Sequence, residues 1–397
     1  MDSATCVVGR ALHRDVKSER EDMGAQEFSA KASGDYMETR KSPLLSICIP
    51  TYNRSRLLRI CLLSILNQTR GYEDDVEVVV SDNCSDDDTM QVVEWAREHG
   101  PLRYHRNESN IGAGPNFFLL SNELARGEFC WLIGDDDFLR KDSLSRLILA
   151  LKENPEIDMF FSNCMGIDDS LLERMKYPVS SIQFPEHLET FSKNLNDFEL
   201  KTFDDLFDPE INPYCLAFLP SSIFRRELWS EASKLVTVSI DNFRDIETTY
   251  PHAICLAKSM RMRRIFYIGN PLFVRTNGGM DWQEKYPLAW VVRLLELLDY
   301  FESVGIDSRR IKRYRNMYLR QFVPSLVLLH ILRGKEPNNR INYMKPVNRY
   351  ILHRGFWLSF FFLLLRMMGI GISHGSIYLT QTKSMRLHMA SLLRKSP

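Results

Sequence analysis

The chain has no C-x-x-C pair, and its eight cysteines follow no regular spacing, which excludes a disulfide scaffold and a thiolate zinc site. Glycine (19) and proline (17) are too sparse over 397 residues for a collagenous or low-complexity chain. No run of about 18–20 uninterrupted apolar residues occurs, so no segment reads as a membrane span. An opening apolar stretch of signal-peptide type is missing too. With unpaired cysteines, that sets the expectation of a reducing cytoplasm. Charge of one sign is not in excess either: 51 basic residues balance 51 acidic ones, which argues against a nucleic-acid binder.

The balance is uneven along the chain. Ser308 to Pro397 hold 17 Lys and Arg against one acid, Glu336, leaving 34 basic and 50 acidic residues ahead of them. This basic stretch surrounds Phe356 to Ile372, an apolar run interrupted by Arg366. Such a pattern suits a helix lying at anionic lipid, or packed on protein, rather than one crossing a bilayer. Residues 1–42 mix charge with Gly, Ser and Ala and read as a disordered extension, with Met37 as an alternative start. The expected organisation is therefore 1–42 extension, 43–283 main domain and 284–397 helical basic C-terminal region.

From Leu44 short apolar runs alternate with amphipathic stretches: LLSICIP, RLLRICLLSILNQ, VEVVVSD, DDTMQVVEWAREHG, LRYHRN, NFFLLSNELARG and EFCWLIGDDD. That alternation predicts βαβ units and a mostly parallel sheet flanked by helices, an α/β fold. IDMFFSNC, SSIFRREL and FYIGNPLFVRT read as later strands, and Thr248 to Lys258 as a helix. Strands one, two and four end in polar clusters, Pro50 to Arg54, Ser81 to Asp88 and Gly134 to Asp137. In an open α/β sheet ligands bind outside the carboxyl ends of the strands, so these clusters share one candidate rim.

Asp135, Asp136 and Asp137 follow a buried-looking strand. Like charges at close range raise one another's pKa, and a cation is the simplest way to keep them ionised together. Hard oxygen donors favour Mg²⁺ or Mn²⁺, with a diphosphate and water completing the coordination. The other reading of the triplet is a polar turn capping the next helix. In the second cluster Asp86 to Asp88 read as caps for a helix from Thr89, which leaves Asp82 to accept a ligand hydrogen bond.

The ordered set LSICIPTYNR, VVVSDNCSDDDT, NIGAGPN and WLIGDDDFL resembles family 2 glycosyltransferases, over roughly residues 44–280. The GDDD variant and the segment Tyr250, Pro251, His252 are most similar to abequosyltransferase-like O-antigen sugar transferases. The resemblance implies the GT-A fold, Rossmann-like, with a nucleoside-diphosphate-sugar donor. It implies that Pro50, Thr51, Tyr52 and Asn53 lie under the nucleotide and that Asp82 reads the base. Asn110, Gly112 and Asp135 would serve the donor, and Asp136 and Asp137 would hold the metal. Where the family often has an arginine after its N-x-G loop, this chain has Gly114, Pro115 and Asn116. Where many members have a Glu-Asp pair supplying the base, the best register places Thr248 to His252, leaving His252, Asp245 or Asp241 for that role. The late segment Arg275 to Gly279 resembles a family loop near the donor phosphates or acceptor.

The expected activity is therefore an inverting, metal-assisted transfer of a sugar to a hydroxyl of a lipid-linked glycan, at the inner face of a membrane. One base takes the acceptor proton and one Lewis acid stabilises the departing diphosphate. The alternative is a non-catalytic nucleotide-sugar-binding protein of the same fold that has lost its base.

Overall fold

Three apolar runs lie side by side at the start of the fold because helices cover both of their faces. The computed structural model describes residues 42–167, 184, 188–240, 243–276, 289–319, 348–352, 356, 357 and 361, with side chains from 292 onward in the 289–319 stretch. Asp241, residues 277–279 and most of 356–372 lie outside the described residues. Strand β1 (Leu45–Thr51) pairs in parallel with β2 (Val76–Asp82) and β4 (Phe129–Leu132), and β2 with β3 (Arg103–Arg106). Helices α1 (Ser55–Thr69), α2 (Thr89–Arg97) and α3 (Ala113–Leu119) make the crossovers, α3 running on into a π-helical turn at Leu120–Leu124. A single carboxylate serves two of these helices. Asp87 accepts from the Ser55 amide at 2.8 Å and from the Thr89 amide at 3.1 Å, two donors otherwise left open in a first turn.

After β4 come β5 (Asp137–Leu139), α4 (Ser143–Glu153), β6 (Met159–Ile167), β7 (Phe198–Leu200), β8 (Ser222–Arg225), α5 (Arg226–Ser233), α6 (Ile246–Thr249), α7 (Pro251–Met260), β9 (Ile265–Thr276) and α8 (Ala289–Ser303). The strand order is β3-β2-β1-β4-β8-β6-β9-β5, with β7 also on β9. The sheet is mostly parallel, as its sequence pattern implies; β8, β5 and β7 run against their neighbours. SSIFRREL is a strand only as far as Arg225, because the next residues bury Trp229 and Ala232 at helical spacing. The helix expected from Thr248 is broken at Tyr250 (φ −128°, ψ 47°). Pro251 offers no N–H and pushes the residue before it out of the helical region.

The pleat divides the core between the two faces. Leu45, Ile47 and Ile49 of β1 pack with Leu62 and Ile65 of α1, Val92 of α2 and Leu147 of α4. On the opposite face Cys48, Val79 and Leu132 join Trp229 of α5, Ile254 and Leu256 of α7 and Leu295, Leu298 and Phe301 of α8. Helix α8 therefore shares its core with α7, and Lys41–Pro397 forms one compact unit. Trp229 ties this face together. Its ring stacks on Phe224 at 4.3 Å and on Phe118 at 5.2 Å, and its Nε1 donates to Ser121 Oγ at 2.9 Å. Trp229→Ala should cost about 3–5 kcal/mol in chemical denaturation, and Trp229→Phe distinctly less, since the smaller ring keeps an aromatic stack and gives up the hydrogen bond and part of the packing.

Candidate active site

The rim is set by register. Thr51, the last residue of β1, stands opposite Asp82, the last of β2, and Cys48 stands opposite Leu132, so Gly134 to Asp137 emerge beside Thr51. On the far side β9 ends at Thr276, and Arg275 lies opposite Asp137.

The three carboxylates have different surroundings. Asp135 is buried. Its Oδ2 accepts from Thr51 Oγ1 at 2.8 Å and its Oδ1 from Arg54 Nη1 at 2.8 Å. Burial pushes its carboxyl up to about 6, against the pull of the Arg54 guanidinium. Asp137 is buried too, its Oδ2 accepting from the Gly134 amide at 3.0 Å. Burial, then the neighbouring Asp136 charge, drives it well above the usual carboxylate range. Asp136 is the open one, with 20% of its side chain exposed against 4% for Asp135. It is 3.4 Å from Arg54 Nη1 and accepts from Thr276 Oγ1 at 3.1 Å. A Cβ on Gly134 would come within 2.6 Å of Asp136 Oδ1, so glycine is what lets the acids fold back over this turn.

The cluster fits a hard divalent cation as an open site. Its donors are carboxylate oxygens, negative charge is crowded there, and Asp136 presents an accessible face. Among the described residues no group of three or more His, Cys, Asp or Glu side chains is arranged to hold a metal ion, so a cation here would rest on one or two carboxylates, with the donor's phosphates and water supplying the other ligands.

Beside the acids lies a shelf of amides. Ser81 Oγ and Asn107 Nδ2 both donate to Asn116 Oδ1, at 2.7 and 3.0 Å. Asn83 Oδ1 accepts from Asn107 Nδ2 and from the Ile111 amide, both at 3.0 Å. Asn83 Nδ2 donates to Asn110 Oδ1 at 2.8 Å, which also takes the Gly112 amide at 2.9 Å. The loop that carries Asn110 and Gly112 is thus built onto the end of β2. Gly112 needs its glycine twice over: its φ is +92°, and a Cβ would meet Ile240 Cα at 3.1 Å.

Asp82 is not the free acceptor its position suggested. It is buried, with Oδ1 taking the Ser85 amide at 2.8 Å and Oδ2 the Tyr104 hydroxyl at 2.7 Å. Pro50 and Thr51 line the floor beside it, Tyr52 is exposed, and Asn53 accepts from the Asp86 amide at 2.7 Å. Asn116, in the region where the family often has an arginine, is locked in the amide shelf. The guanidinium near the acids belongs to Arg54 instead. Asn107 escaped the sequence reading because only the pairing of β3 with β2 brings it to the rim, whereas Ser81 and Thr276 lie in segments the sequence had already placed there.

The two described candidates for the base differ in setting. Asp245 caps α6, with Oδ1 accepting from the Thr248 amide at 2.8 Å and Oδ2 from Arg244 Nε at 3.1 Å; its side chain is 42% exposed. Partial burial works to raise its pKa, but the hydrogen bonds from Thr248 and Arg244 prevail and hold it below the ordinary value. His252 is 8% exposed, edge-on to Phe117 and Tyr250, with Nε2 3.1 Å from the Ala217 carbonyl. A carbonyl only accepts, so Nε2 carries the hydrogen and Nδ1 the lone pair. Burial holds the imidazole down at about 4, despite the opposing pull of the Ala217 carbonyl.

Depression of the imidazole from 6.5 to about 4 means that the unfolded chain binds the extra proton between those values. The stability contributed by neutral His252 is complete above about pH 6.5 and is lost as pH falls toward 4, by at most about 3 kcal/mol. Asp135, with its raised value, has the opposite slope in the same window. The variant is therefore compared with wild type: His252→Gln should lose less thermal stability than wild type between pH 7 and pH 4.5.

A family model described as Glycosyl transferase family 2 matches residues 46–206. Abequosyltransferase RfbV of Salmonella typhimurium (strain LT2) is 30% identical over 287 residues, covering 70% of this chain and 80% of that protein. The GalNAc(5)-diNAcBac-PP-undecaprenol beta-1,3-glucosyltransferase of Campylobacter jejuni is 37% identical over 125 residues, 31% of this chain and 38% of that enzyme. The crystal structure of S. aureus TarS 1-349 in complex with UDP-GlcNAc superposes with a TM-score of 0.53 at 19% identity, covering 87% of this chain and 92% of that one. The last likeness shows the fold, GT-A.

Proposed function

The chain belongs to glycosyl transferase family 2 and is a glycosyltransferase, and we propose that it moves a sugar with inversion from a nucleoside-diphosphate-sugar to a hydroxyl of a lipid-linked glycan. The observation that carries this reading is the acid cluster: one accessible carboxylate, Asp136, set among buried partners at the carboxyl ends of parallel strands. The donor is supported by the TarS complex with UDP-GlcNAc, and the lipid-linked acceptor by the PP-undecaprenol in the Campylobacter enzyme's name.

In this reading Asp136 holds Mg²⁺ or Mn²⁺, with Asp137 behind it, while Thr51 and Arg54 fix Asp135 toward the donor. When bound there, the cation supplies Lewis acidity toward the diphosphate leaving group. Asn110 and Gly112 form the loop over the nucleotide, and Pro50, Thr51, Tyr52, Asn53 and Asp82 its floor. A base in the segment 241–252 accepts the acceptor's proton. The acceptor oxygen forms its bond to the anomeric carbon as the bond to the diphosphate oxygen breaks, and the nucleoside diphosphate leaves with that electron pair. Of the described candidates Asp245 suits this best, being exposed and ionised at neutral pH. The carboxylate keeps the proton it takes until solvent removes it.

Among the described residues no helix is long and apolar enough to cross a membrane. A peripheral position at the inner face is proposed on the 17 basic residues of Ser308 to Pro397, with exposed Trp357 and Phe361 as apolar contacts.

Titration calorimetry with UDP, GDP, CDP and TDP in the presence of Mn²⁺ tests the donor site. Asp136→Ala should abolish Mn²⁺-dependent affinity while leaving the ligand-free melting temperature nearly unchanged, and unaltered metal-dependent binding would sink the assignment. For the membrane, the chain should pellet with anionic vesicles and be released by salt, each basic residue contributing about 1 kcal/mol at most. Equal pelleting with neutral vesicles, or none with either, would overturn that part.

A further inference from the structure

The turn that precedes Asp245 is held from a distance. Phe243 has φ +67°, a left-handed conformation costly for a residue with a Cβ, and such strain persists only where surroundings impose it. The Phe243 ring packs against the core, and the backbone here is held by Arg293 on α8. Its Nε donates to the Phe243 carbonyl at 3.2 Å, its Nη2 donates to the Arg244 carbonyl, and its Nη1 pairs with Glu296 one turn along the helix. The side chain is 10% exposed, flanked on α8 by Val292, Leu294 and Leu295 in the core.

We infer that Arg293 is a positioning residue for proton transfer: from the core it clamps two successive carbonyls and so fixes the direction of Asp245. The inference rests on the reading that the base lies in the segment 241–252. Those carbonyls belong to the peptide units on either side of Arg244, and their orientation sets where the Asp245 side chain starts. The planar fork of an arginine holds both at once; an ammonium is a point charge and cannot reproduce that pair. The turn itself is a surface feature. Ile240, Arg244 and Asp245 are substantially exposed, while Phe243 packs against the core beside α8, so the guanidinium sits where the turn's apolar and polar sides meet. Its other side meets the donor loop, where Gly112 leaves room for Ile240.

The experiment uses the full chain as wild type, Arg293→Met, Arg293→Lys, Asp245→Asn, His252→Ala and the double variant Arg293→Met with Asp245→Asn. One readout is release of nucleoside diphosphate from a panel of UDP-, GDP-, CDP- and TDP-sugars with Mn²⁺, resolved into kcat and KM. The other is amide hydrogen exchange over residues 243–249, which needs no donor. Arg293→Met should lower kcat by about 10²-fold with donor KM unchanged, as expected when a reacting group is misplaced by about 1 Å. Exchange at the Thr248 and Thr249 amides should rise, Arg293→Lys should fall between, and the double variant should be no slower than Asp245→Asn alone. Wild-type kcat in folded Arg293→Met, a loss confined to KM, additive losses in the double variant, or unchanged exchange each overturn the inference. If Arg293→Met does not fold, Arg293→Lys decides by the same two readouts. Full activity in both Asp245→Asn and His252→Ala removes those residues as the base, a failure of the underlying reading that leaves the clamp to be judged by exchange and by Arg293→Met on its own.

Discussion

Three carboxylates can stand together at the end of β4 only because the end of β1 reaches across with a hydroxyl and the turn into α1 with a guanidinium. Thr51 and Arg54 satisfy both oxygens of Asp135, the most enclosed of the three by side-chain partners, and Arg54 continues to Asp136. Neither contact is local in sequence; both depend on β1 and β4 being parallel neighbours with Cys48 opposite Leu132. A slip of one residue would turn Thr51 to the other face and leave a buried carboxylate unpaired, so the apolar register of the core and the polar chemistry of the rim are one constraint. The pressure on the cluster shows in Asp135 and Asp137, both raised first by burial.

The amide shelf works by a different logic. Asparagines 83, 107, 110 and 116 carry no charge, yet between them they hold the loop after β3 to the end of β2 through donors and acceptors that are used on both sides. A neutral network can be buried without the desolvation cost of ions, and once satisfied it allows few alternative arrangements. It leaves a rigid shelf next to a crowded cluster of carboxylates.

Much of the fold could be read from residues alone, since β1, β2 and β4 are apolar runs that stop at polar clusters, and the helices between them carry one apolar face. The rim followed from those stops. The boundaries that failed had two causes, one distant and one local: R-R-E-L became helix because Trp229 found Phe118 and Phe224, and Pro251 broke a helix whose apolar pattern ran straight through it. At the site, residue types were legible but occupancy was not. Asp82 reads as an available acceptor until β3 brings Tyr104 to it. Arg293 was invisible for the opposite reason, since a lone arginine in AWVVRLLELLDYFES looks like a solvated position, and only the packing of α8 against α6 and the turn before it draws it inward.

The order in which strands join the sheet has a consequence for a chain made from one end. The side of β4 away from β1 is covered by β8, and the Asp136 carboxylate meets Thr276 across 140 residues of sequence. During synthesis the first four strands emerge with that side of β4 bare, and the acid turn emerges without its last partner. Contacts so far apart in sequence make for slow closure and an interval in which an unpaired strand edge is open to other chains. The nascent protein is thus most vulnerable between the emergence of β4 and that of β8, well before the acid turn can meet its last partner on β9.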